Sequence, residues 1–159
     1  CRNVPPDVLD ELTKHQSVAL CSNSVGQIVT YLMVRPPRPG EPSFAVYDRE
    51  KRDIQDSLRR RAGIVERGLN AVEGIRCNPV AGAMYAFPQI QLPPGVTDGQ
   101  WCLALLEGTG ICVVPGSGFG QADGTWHFRT TILPPLDQIE AVVARIGEFH
   151  RRFLARSRQ

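Results

Sequence analysis

Lysine is nearly missing from this chain. Only Lys14 and Lys51 occur among its 159 residues, so chemistry that needs a side-chain amine has two places at most to reside. Lys14 falls on a short surface helix. Lys51 lies along the stripe of a long helix, between Tyr47 and Ile54, where a snorkelling stem explains it. Metal-type pairs are lacking too. The five cysteines (Cys1, Cys21, Cys77, Cys102 and Cys112) form no C-x-x-C pair, and His15, His127 and His150 are scattered, so no metal site follows from spacing. One cysteine must stay unpaired, which argues for reduced thiols rather than a secreted disulfide framework. No apolar run approaches the roughly 20 residues that cross a bilayer. Charge of one sign is also short: a net +2 gives no case for a nucleic-acid or membrane partner. No Ser/His/Asp or Cys/His constellation can be assembled from spacing. Initiator Met is absent, and an original N-terminus carrying any targeting signal is expected ahead of Cys1.

What remains is an ordinary globular composition, 42% hydrophobic, with enough chain for one domain with a real core. Pro5-Pro6-Asp7 opens a short helix with Val8, Leu9 and Leu12 as its apolar stripe. A second helix is expected over 25–33, with Ile28, Val29, Leu32 and Met33 inside. The proline-rich run 35–42 stops regular structure. Ser43 then caps a helix reaching to about residue 72, whose stripe is Tyr47, Ile54, Leu58, Ala62, Val65, Leu69 and Val72. Some 30 helical residues would extend about 45 Å, a strut between two bodies. Short strands are expected at 75–77 and 83–87. A helix follows over 98–107, presenting Trp101, Leu103, Leu105 and Leu106. Strands at 111–114 and 126–133 come next. A last helix from Pro135 buries Leu136, Ile139, Val143, Ile146 and Phe149 or Phe153. Arg59-Arg60-Arg61 and the basic tail from His150 read as solvated helix faces. The fold class is α+β: a small mixed sheet covered by helices, approached by a long connecting helix.

The strand 126–133 alternates. Trp126, Phe128, Thr130 and Ile132 face one way; His127, Arg129, Thr131 and Leu133 face the other. A guanidinium in mid-strand is rarely buried without a partner. Its planar fork suits bidentate capture of a carboxylate, and a structural salt bridge or an exposed edge strand would account for it equally. Just before this strand, Gly116-Ser-Gly-Phe-Gly120 follows an apolar segment. The spacing is G-x-G-x-G, and a turn into a strand follows instead of a helix N-terminus, which argues against dinucleotide binding. A tight turn that lets backbone approach a ligand or another segment fits better. His127 shares the face of Arg129, as a pocket-lining or a hydrogen-bonded structural residue.

Asn78-Pro-Val-Ala-Gly-Ala-Met-Tyr-Ala-Phe-Pro88, Gly110-Ile-Cys-Val-Val-Pro-Gly-Ser-Gly-Phe-Gly120 and His127-Phe-Arg-Thr-Thr-Ile-Leu-Pro-Pro135 closely resemble the alanine aminotransferases. These are pyridoxal-phosphate (PLP) enzymes of fold type I. The likeness runs from Arg2 to His150. It implies that Arg129 binds the substrate α-carboxylate, and that residues 1–42 are the trailing edge of a large cofactor domain. It further implies that 43–73 form the connecting helix and 74–159 the C-terminal small domain. The family's Schiff-base lysine and its other PLP-binding residues precede this segment, so no catalytic or cofactor-binding residue is assigned within it. The implied reaction is amino transfer between L-alanine and 2-oxoglutarate, in a homodimer of the cytoplasm or mitochondrial matrix. Its partners are small amino and keto acids. An aminotransferase of other specificity, or a non-catalytic interaction module of the same fold, are the alternatives.

Overall fold

The computed structural model describes residues 2–19 and 21–156. Cys1, Leu20 and the basic tail residues 157–159 lie outside the described residues. The chain divides into two compact units, residues 1–48 and 49–159.

In the first unit, α1 (Pro6–Val18) starts with proline in its first turn and carries Asp7 near its positive end, a favourable pairing with the helix dipole. In α2 (Ser24–Val34), the Asn23 side chain accepts from Gly26 N at 3.0 Å, an N-cap. The expected placement of Ile28, Val29, Leu32 and Met33 inside is corrected here: all four are exposed, by 52 to 75%. A 3.6-residue period identifies an apolar stripe but not what covers it, and none of the described residues within 1–48 does. After the proline-rich break, α3 (Phe44–Asn70) begins one residue past Ser43, whose carbonyl accepts from Tyr47 N at 3.1 Å.

The second unit holds the core. Ala62, Val65 and Leu69 of α3 are buried, while Ile54 is 60% exposed, so only the C-terminal half of the predicted stripe is covered. The Asn70 side chain clasps Cys77 through its N–H and its carbonyl, each at 2.9 Å. Gly74, at φ +81°, supplies the left-handed residue that turns the chain into β1 (Ile75–Arg76). Next come β2 (Tyr85–Ala86) and β3 (Gln89–Ile90), separated by Phe87-Pro88. β3 was not anticipated.

A capping box opens α4 (Asp98–Thr109): Thr97 accepts from Gln100 N, and the Gln100 side chain reaches back to Thr97 N. Gly110 closes it at φ 73°. Its buried residues are Asp98, Trp101, Cys102 and Leu105, at i, i+3, i+4 and i+7, one face of a helix. Leu103 and Leu106, expected in the core, fall off that face and are 57% and 40% exposed. The chain then forms β4 (Val114–Pro115), a single 3-10 turn (Gly116–Phe119) and β5 (Trp126–Thr131).

β5 is the organising strand. It pairs antiparallel with β3 at Trp126 and His127, with β2 at Thr130 and Thr131, and with β4 at Phe128 and Arg129. Between the β3 and β2 contacts, Phe128 N donates to Pro88 O at 3.1 Å. The stretch 85–90 thus follows β5 as one bent strand, with Pro88 at the bend where it needs to offer no N–H. Every recorded pairing is antiparallel, which narrows the expected mixed sheet.

Helix α5 (Leu136–Arg156) buries Ile139, Val143, Ile146, Gly147 and His150. Phe149 and Phe153 are half-buried against the core. Leu136, in the first turn, is 39% exposed rather than buried. Arg61, expected on a solvated face, instead donates from Nη1 to Leu133 O at 2.7 Å, tying α3 to the end of the sheet strand. The α+β class stands: the described residues form five helices and a small antiparallel sheet.

Candidate functional site

Phe128 is fully buried against the Trp101 ring, centroids 4.9 Å apart. Because neighbouring residues on a strand project to opposite faces, that packing sends Arg129 away from the core. Arg129 is half-buried, with its Cζ 4.6 Å from the Tyr85 ring centroid and 4.8 Å from that of Phe119. Such cation–π contacts hold the charge without consuming its N–H donors. Among the described residues, no carboxylate forms an ion pair with Arg129 and no side chain bonds its guanidinium. The salt-bridge account of this arginine therefore has no partner to supply it.

The glycine turn lies beside β5 because Gly116 has no side chain. A Cβ there would meet Gln121 Oε1 at 2.4 Å and His127 Cβ at 2.6 Å. The close backbone approach expected of this turn is thus to another chain segment. Gly120, at φ 71°, ends the turn in the left-handed conformation that glycine adopts without strain. Phe119, 47% exposed, projects from the turn onto Arg129.

His127 is the hydrogen-bonded structural residue rather than a free pocket group. Its Nδ1 lies 3.0 Å from Gln121 Oε1, and its ring stacks on Phe87 at 4.9 Å with a 4° interplanar angle. Phe87 meets Phe119 edge-on at 5.7 Å. Sequence reasoning missed Asp98, which is 1% exposed. Its Oδ1 accepts from Gly99 N at 2.8 Å, and its Oδ2 accepts from Ser117 N at 2.7 Å and from Gln121 Nε2 at 2.9 Å. A signal was available: Thr97 and Gln100 already complete a capping box, leaving the adjacent acid free for another task.

The two lysines do not make a cofactor site. Lys14 is paired with Glu11 at 2.6 Å on exposed α1, and Lys51 is exposed on α3. The residues present do not fit PLP by themselves. Cys77 and Cys102 are free but buried. Burial, then the Glu66 carboxylate, pushes the Cys77 thiol up to about 11. Burial, then Asp98 and Cys112, pushes Cys102 up to about 12. Both are poor nucleophiles as a result. Among the described residues, no group of three or more His, Cys, Asp or Glu could hold a metal ion, and no helix is long and apolar enough to cross a membrane.

Comparison with known proteins finds similar sequences and similar solved structures. The chain is 52% identical over 161 residues to "Probable alanine aminotransferase, mitochondrial" of Dictyostelium discoideum, covering 95% of this chain. In sequence and fold, the chain is similar to part of the alanine aminotransferases. It is 47% identical to alanine aminotransferase 2 of Xenopus laevis, over 96% of its own length. It spans 30% of each of these two relatives. The solved alanine aminotransferase of Pyrococcus furiosus superposes with a TM-score of 0.77 at 27% identity, over 95% of this chain and 36% of that one. No family model matches the chain. Transferase kinship and the fold-type-I architecture both follow from these likenesses.

Proposed function

We propose that this chain is the C-terminal, substrate-gripping part of a PLP-dependent aminotransferase that exchanges the amino group between L-alanine and 2-oxoglutarate. Arg129 binds the α-carboxylate of either acid. One observation carries the reading: a half-buried guanidinium, backed by Tyr85 and Phe119, keeps its donors unpaired among the described residues. A planar fork in that state matches the two oxygens of a carboxylate. Its contribution is positional, since anchoring the acid end of a small substrate fixes the orientation of its Cα–H bond.

PLP, when bound, supplies the electron sink of amino transfer. In this reading the residues that hold it lie outside these 159, as do the acid–base groups. Residues 1–42 belong to the edge of the cofactor domain, 43–73 to the connecting helix and 74–159 to the small domain. The assembled enzyme is a homodimer of the cytoplasm or mitochondrial matrix; the Dictyostelium relative is named mitochondrial. The relatives favour neither another amino-acid specificity nor a non-catalytic module.

Kinetics of the intact, PLP-loaded enzyme test the role of Arg129. Arg129→Lys keeps the charge but loses the fork. The KM for alanine and for 2-oxoglutarate is expected to rise roughly ten- to a hundredfold, the worth of a charge-assisted hydrogen bond. Unchanged KM values for both acids would refute the assignment.

A further inference from the structure

Asp98 is a buried carboxylate with no cation paired to it among the described residues. Desolvating an ionised carboxylate is costly unless donors replace the lost water. Three N–H groups do so here, from Gly99, Ser117 and Gln121. The positive end of α4, where Asp98 is the first residue, adds a favourable field. Capping the helix does not require this arrangement, since Thr97 and Gln100 already perform it. Two of the three donors come from the glycine turn and from the residue that follows it, 19 and 23 residues away.

Those two donors flank Phe119 in sequence. Ser117 stands two residues before it, and Gln121 two residues after it. One carboxylate oxygen therefore pins both sides of the turn that aims Phe119 at Arg129. A second route converges on the same ring. Because Gln121 Nε2 donates to Asp98, its Oε1 is left as an acceptor, and His127 Nδ1 must be the donor across their 3.0 Å contact. His127 held in this way stacks on Phe87, and Phe87 meets the Phe119 ring edge-on. Phe119 is 47% exposed, so core burial alone does not fix it.

We infer that Asp98 is a positioning residue for the carboxylate grip: through Ser117 and Gln121 it holds the glycine turn so that Phe119 backs the Arg129 guanidinium. The inference rests on the reading of Arg129 given above. With Asp98 removed, the turn relaxes, Phe119 leaves the guanidinium and Arg129 samples other rotamers. Substrate binding weakens, and the chemical step changes little.

The test uses the intact, PLP-loaded enzyme, with KM for both acids, kcat and melting temperature recorded for each variant. Asp98→Asn preserves shape but has one acceptor oxygen for three donors, and its amide N–H groups face at least one of them. It should raise both KM values about tenfold, with kcat within about threefold of wild type. Combining it with Arg129→Lys should raise KM no further than Arg129→Lys alone, since both changes act on one grip. A wild-type KM in a folded Asp98→Asn enzyme overturns the role, and so do effects of the two substitutions that multiply. If Asp98→Asn proves insoluble, Gln121→Met decides. It removes the bridge to His127 but leaves Ser117 bound to Asp98, and should raise KM about threefold; unchanged KM overturns the proposal. Arg129→Lys separates the two claims. If it leaves KM unaltered, the grip reading itself fails; if it raises KM while Asp98→Asn and Gln121→Met do not, only the positioning role fails.

Discussion

Within α5, the His150 ring is fully buried, and neither ring nitrogen has a hydrogen-bond partner among the described residues. It meets the Trp101 ring edge-on at 5.9 Å, and a Cβ on Gly74 would lie 2.9 Å from its Nε2. Burial, reinforced by the neighbouring Arg151 charge, lowers its pKa from 6.5 to about 4. The ring thus stays neutral in the folded chain at pH values where the unfolded chain protonates it. Its contribution to stability is complete above pH 6.5 and is lost as pH falls toward 4. His150→Leu removes this titration and an unsatisfied polar ring together. The melting temperature of the variant should match or exceed that of wild type at pH 7, and it should decline less between pH 7 and pH 4.5, in paired calorimetric scans. Equal declines would show that His150 does not titrate differently in the two states.

Helix packing around α5 depends on two glycines. A Cβ on Gly68 of α3 would meet Val143 Cγ1 at 2.5 Å, and one on Gly147 of α5 would meet Val72 Cγ2 at 2.7 Å. Alanine has the better intrinsic helix propensity, by about 1 kcal/mol, but overpacking a tight contact costs roughly 1–3 kcal/mol. Gly147→Ala should therefore lower the melting temperature despite that propensity. A rise would mean that Val72 moves aside freely. This contact shows why some of the fold was legible in the sequence and some was not. Starts and breaks announced themselves locally: Pro5-Pro6-Asp7 at the opening of α1, and the proline-rich run 35–42 ahead of α3. The alternation of β5 correctly put Phe128 inward and Arg129 outward. Longer-range facts left weaker marks. β3 is two residues long beside a proline, too short to show a period, and its pairing is set by β5 from 36 residues later. Leu103 and Leu106 are as apolar as Leu105, and only the position of the sheet selects which side of α4 is buried. Asp98 had the signature of a helix start, while its partners lay in a turn that no spacing rule connects to it.

At the scale of the molecule, apolar surface is distributed unevenly along the chain. Every buried hydrophobic residue in the core cluster lies between Ala62 and Ile146. By contrast Val8, Leu9, Leu12, Val25, Ile28, Val29, Leu32 and Met33 are each more than 40% exposed. Hydrophobic burial scales with area removed from water, so the second unit carries the driving force for cooperative folding, while α1 and α2 leave their stripes solvated in this chain. Exposed apolar side chains in such number promote association. Two measurements on two chains follow from this asymmetry. Residues 49–159 expressed alone should melt in one cooperative transition, at a midpoint within a few degrees of that shown by the 159-residue chain. The full chain should bind a hydrophobic dye more strongly and show greater concentration-dependent association on sedimentation. A shorter chain that melts without cooperativity would mean that residues 1–48 complete the core rather than append to it. Equal dye binding by the two would mean that the stripes of α1 and α2 find cover in solution.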